Sequence, residues 1–156
     1  GVVAVLAVVV TAAPQIVADR QPRAKALTEM GDAAALVAAE RRPSDGPSGI
    51  VFGQYNGIAG ATTRIEAIAY PADFRGLTDL TAVGPLADST ALFGSDISTT
   101  AAVPRMRSLT TVWFLLDLDA APKTVVPAAA MEAAGLAQTG TFRTRGSMLL
   151  RWSRVR

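Results

Sequence analysis

Asp117 and Asp119 stand one residue apart, at the exit of the longest apolar run inside the chain, T-T-V-W-F-L-L-D-L from Thr110 to Leu118. Two carboxylates at this spacing can both reach a hard divalent cation where the backbone turns, an arrangement that would suit metal-dependent handling of a nucleotide sugar. The competing reading is a pair of solvated turn residues, and it is the one favoured here because no nucleotide-binding loop accompanies the pair. Gly53, Gly57 and Gly60 do sit between an apolar stretch and a helical one. Glycines in that order let backbone N–H groups approach an anion at a helix N-terminus. Their spacing, however, is not that of a dinucleotide fingerprint, and no Lys-Ser or Lys-Thr pair follows, so turn glycines are the simpler expectation. Other chemistry is limited by what is missing. The chain has no histidine and no cysteine, which removes Ser-His-Asp and Cys-His nucleophiles, thiolate metal sites and disulfides. Carboxylates, Lys, Tyr and Ser/Thr are left.

The elements that would hold such residues follow from patterning. In Thr110–Leu118 β-branched and aromatic residues are crowded without polar alternation, which predicts a strand buried on both faces at the centre of a sheet. Ile50–Tyr55 reads as a first strand and Thr62–Ala69 as the helix after it. Short strands are expected within Leu77–Thr81 and Thr90–Phe93, and a short helix over Ala101–Ser108. Tyr70 and Phe74 are candidate core anchors. Thr124 is placed to cap a helix that runs to Ala134, with Pro127 in its first turn and Gly135 at its stop. Gln138–Arg143 and Ser147–Arg156 flank Thr144-Arg145-Gly146 as a hairpin, with Met148, Leu150 and Trp152 on the packed face and Arg151 and Ser153 on a wet one. Arg143, Arg145, Arg151, Arg154 and Arg156 then read as solvated charges of an edge strand, or else as contacts to anionic lipid headgroups or a polyprenyl phosphate.

The chain's 156 residues are 50% apolar, which is enough for one domain with a real core. A net charge of +2 predicts no nucleic-acid groove. Gly1–Ala18 carries no charge and, as a helix, would span about 27 Å, close to the hydrocarbon thickness of a bilayer. It is read as the end of a transmembrane helix; a buried valine-rich strand and a secretory signal are the rivals. Between Arg20 and Arg42, Leu27, Met30, Ala34 and Val37 recur at helical spacing, with Lys25, Glu29 and Asp32 on another face, which predicts an amphipathic connector helix. The expectation is therefore an α/β fold: residues 1–18 closing a membrane span, and residues 19–156 forming a small three-layer-like domain with a mixed sheet and a C-terminal β-hairpin.

Several segments, taken in order, resemble a known family. They are D-A-A-A-L-V-A-A-E (Asp32–Glu40) before an apolar strand, A-Y-P-A-D-F-R-G-L-T-D-L (Ala69–Leu80), V-W-F-L-L (Val112–Leu116), G-L-A-Q-T-G-T-F (Gly135–Phe142) and M-L-L-R-W-S-R (Met148–Arg154). Together they are similar to the C-terminal part of polytopic GT-C glycosyltransferases, the protein-mannosyltransferase-like enzymes common in actinobacteria. The resemblance implies a small α/β domain outside the cytoplasmic membrane, behind a last membrane helix. It implies as partners the membrane, a polyprenyl-phosphate sugar donor and an envelope acceptor. In that family the catalytic carboxylates lie in the first extracytoplasmic loop, so the resemblance assigns no catalytic residue here and implies an accessory role.

Overall fold

The computed structural model describes residues 28–56, 58–85, 88–89, 94–120 and 125–155. The apolar segment 1–18, the expected strand at Thr90–Phe93 and the cap at Thr124 lie outside the described residues. Among the described residues no helix is long and apolar enough to cross a membrane.

Within them, helix α1 (Thr28–Glu40) leads through a short 3-10 turn, Pro43–Asp45, into strand β1 (Ser48–Phe52). Helix α2 (Arg64–Ala69), strand β2 (Thr78–Asp79), helix α3 (Thr99–Met106) and strand β3 (Thr111–Asp117) follow. Helix α4 (Ala128–Ala133) and the hairpin β4 (Leu136–Arg143) and β5 (Ser147–Arg154) complete the order. The sheet runs β2-β1-β3-β5-β4, with β1 parallel to both β2 and β3, β5 antiparallel to β3, and β4 antiparallel to β5. This is the mixed-sheet α/β domain with a C-terminal hairpin that the sequence predicts.

Strand β3 is central because both of its faces are apolar. Val112, Phe114 and Leu116 pack with Val51, Leu150 and Trp152 against Ala102, Val103 and Met106 of α3 and Ala130, Met131 and Ala134 of α4. On the other face Trp113 and Leu115 join Ile50, Phe52 and Leu149 against Ala33, Ala34 and Val37 of α1 and against Phe74. Every residue of β3 is buried, because helices cover the sheet on both sides. The stripe Met30, Ala34 and Val37 is buried as its helical spacing requires, and Glu29 and Asp32 are exposed.

The hairpin departs from expectation in one respect. Strand β5 is interior, between β3 and β4, so its second face is not wet: Leu149 is fully buried under α1. Arg151 is accordingly not a solvated edge charge. Its guanidinium pairs with Asp45, itself 4% exposed, and lies 5.6 Å from the centre of the Trp113 ring. Arg154 donates to the carbonyls of Arg107 (2.6 Å) and Leu109 (3.0 Å), tying the last strand to the end of α3. Arg143 and Arg145 remain exposed. Period-two alternation had placed Arg151 on a solvated face; a partner 106 residues away supplies its charge balance instead.

Gly49 shows how closely β1 is packed. A Cβ there would lie 2.7 Å from Leu109 Cδ1 and 2.9 Å from Leu80 Cδ1, whereas one on Gly84 would meet nothing within 4 Å. Gly49→Ala is expected to lower stability by about 1–3 kcal/mol, as overpacked sites do, with Gly84→Ala close to neutral. Urea unfolding would register this as a lower midpoint at unchanged slope.

Candidate functional site

The parallel strands β1 and β3 end side by side, with Phe52 opposite Leu115. From there the chain departs in opposite directions: β1 leads to α2, whose Ala67 packs on the α1 face, and β3 leads toward α4 on the other. A crevice between strand ends at such a switch of direction is where ligands bind in open α/β sheets. Its walls are fixed by backbone hydrogen bonds. Gly53 N–H donates to the Leu115 carbonyl (2.8 Å), Thr63 N–H to the Gly53 carbonyl (2.8 Å), and Thr63 Oγ1 to the Leu115 carbonyl (2.9 Å).

Asp117 closes the floor. One carboxylate oxygen accepts from the Asn56 amide at 2.9 Å and the other from the Asp119 amide at 2.8 Å. The carboxylate thus pins the loop after β1 to the end of β3 while turning its own strand, the role of an Asx turn extended by one long-range bond. Asp119 is exposed. Among the described residues no three or more Asp or Glu side chains are arranged to hold a metal ion. Of the candidate glycines, Gly53 has its amide engaged in the sheet, Gly60 takes a left-handed turn conformation (φ 75°), and Gly57 lies outside the described residues. Helix α2 begins at Arg64 rather than Thr62, because Thr62 bridges back to Gln54.

The acid that sequence reading passed over is Glu66. It sits on α2 with 1% of its surface exposed, and its Oε2 is buried without a hydrogen-bond partner. Burial, reinforced by the nearby Asp117 charge, pushes its carboxyl up to about 8, so it carries its proton at neutral pH. The Tyr55 hydroxyl is also raised, first by burial and then by Asp117, Glu66 and Glu29. These groups line a cavity of about 80 Å³ together with Glu29, Met30, Asn56, Asp119, Gly146 and Ser147. Tyr55 and Asn56 also form a wall of a neighbouring cleft of about 400 Å³, which includes Ile58, Ala61 and Ala120. One signal for Glu66 was legible: at helical spacing it shares a face with Thr63 and with Tyr70, the expected core anchor. Its partner Asp117 is 51 positions away in the chain and meets it only through the parallel pairing of β1 with β3.

A second charged cluster, on the far side of α2, is structural. The Arg64 guanidinium, on a residue 6% exposed, pairs with Asp79 of β2 and with Asp96, and it stacks 5.5 Å from the centre of the Phe52 ring. It fixes the sheet's short edge strand to the helix. In comparison with known proteins, the chain matches no family model and no curated relative.

Proposed function

We propose that the chain is the C-terminal accessory domain of a membrane glycosyltransferase that moves a sugar from a polyprenyl-phosphate donor to an extracytoplasmic acceptor. On this reading it lies outside the cytoplasmic membrane and supports the enzyme or shapes the acceptor's approach; bond making takes place elsewhere in the protein. The observation that carries the non-catalytic assignment is Asp117. Both of its oxygens are engaged by backbone amides, so the one Asp-x-Asp pair on this strand serves to shape the turn. Four of the five segments that carry the family resemblance fall on the framework of the fold: Val112–Leu116 within β3, Gly135–Phe142 and Met148–Arg154 on the hairpin, and Asp32–Glu40 within α1; the fifth, Ala69–Leu80, is mostly turns leading into β2.

A membrane-tethered binding or sensor domain is the second reading, favoured by the cavity around Glu66 and its unpartnered oxygen. The reading frame upstream of Gly1 separates the two. Several apolar spans and an acidic pair in the first outer loop are expected for the transferase. A start codon within about 30 residues would overturn it in favour of the tethered module.

A further inference from the structure

The cavity at the ends of β1 and β3 is lined by four acids, Glu29, Glu66, Asp117 and Asp119, and among the described residues neither it nor the adjoining cleft is lined by a basic side chain. Glu66 is one of its lining residues, and Glu66 Oε2 is buried and lacks a donor. A buried carboxyl oxygen in that state gains from any ligand that brings an N–H or O–H to it. The negative surroundings select a cation over a neutral hydroxyl and reject an anion. A hard metal ion is poorly served, because it needs six or more oxygens, Asp117 already accepts two amides, and no described carboxylates form a metal set. A primary ammonium fits better: it is compact, carries three donors and requires no fixed coordination shell. At about 80 Å³ the cavity has room for a head of that size. The larger cleft that shares Tyr55 and Asn56 offers Ile58, Ala61 and Ala120 to an aliphatic stem.

We propose that this crevice binds a small primary amine, with its ammonium head among Glu66, Asp117 and Glu29 and its stem along Tyr55, Ile58 and Ala61. The site does not depend on the glycosyltransferase reading, so either can fail without the other. Binding has a proton signature. Glu66 is protonated at neutral pH, and a cation at Oε2 displaces that proton into the buffer. The other titratable groups facing it are Asp117 from β3, Asp119 just beyond it, Glu29 from α1 and Tyr55 from the loop after β1.

The test is calorimetric titration of the full chain with n-butylammonium chloride at pH 7, in two buffers of different ionisation enthalpy. Saturable one-site binding with release of about one proton is expected, and affinity should rise roughly tenfold per pH unit up to about pH 8. 1-Butanol should not bind. Glu66→Gln should abolish both binding and proton release while keeping the native circular-dichroism spectrum, and Asp119→Asn, at an exposed position, should weaken binding severalfold. Absence of saturable binding, equal binding of butanol, full affinity in Glu66→Gln, or saturation by calcium that butylammonium does not displace would each overturn the proposal.

Discussion

Replacing Glu66 by glutamine is expected to stabilise the protein at alkaline pH and to leave it unchanged in acid. The carboxyl's pKa moves from 4.5 to about 8 on folding because the group is buried beside Asp117. The folded chain therefore holds a proton that the unfolded chain has released throughout that interval. Stability linked to Glu66 is fully present below pH 4.5, declines as pH rises through the window, and is lost above about pH 8. At about 1.4 kcal/mol per unit, the loss at pH 9 is roughly 5 kcal/mol. Glutamine carries no charge at any pH, so it escapes this loss. Thermal unfolding of the two proteins should coincide near pH 4 and separate by roughly 10 °C at pH 9. Parallel melting curves at both pH values would contradict the burial of an unpaired acid against β3.

The second large effect is expected at Trp113, which is fully buried between β3 and α1. Its ring lies 6.1 Å from that of Phe142 and beneath the Arg151 guanidinium. Trp113→Ala removes the largest fully buried side chain among the described residues and opens a cavity that neighbouring strands cannot close. A loss of about 3–5 kcal/mol follows, and it includes the cost of leaving Arg151 without its aromatic face. Trp113→Phe should cost much less, because the indole N–H has no hydrogen-bond partner and its removal forfeits no bond. Denaturant unfolding of the pair measures the difference. Equal losses in both variants would mean that ring volume is not what holds α1 to the sheet.

The buried core was legible in the sequence wherever a local pattern reports it. The unbroken apolar run at Thr111–Leu116 reads as a strand covered on both faces, and the spacing of Met30, Ala34 and Val37 reads as one stripe of a helix. Glycine at 135, with φ 79°, follows α4 as a helix stop should. What local pattern could not reveal was pairing across long separations. Arg151 reads as a surface charge until Asp45 is brought beneath it, and Glu66 reads as an ordinary helical glutamate until the parallel pairing of β1 with β3 sets it against Asp117. Asp117 was singled out for its chemistry, yet its environment decides its use: two amides reach its oxygens, one of them from a loop 61 residues earlier in the chain. The polar floor of the crevice is thus a product of topology, and residue spacing contains little of it.

Titration of the full chain with manganese and a nucleotide sugar measures most directly whether the end of β3 is a backbone lock or a reaction centre. With Asp117 holding the amides of Asn56 and Asp119, no saturable heat is expected from the metal, from the sugar, or from both together. Saturable binding that requires manganese and disappears in Asp119→Asn would contradict this account and make the Asp117-x-Asp119 pair a metal-dependent transferase site.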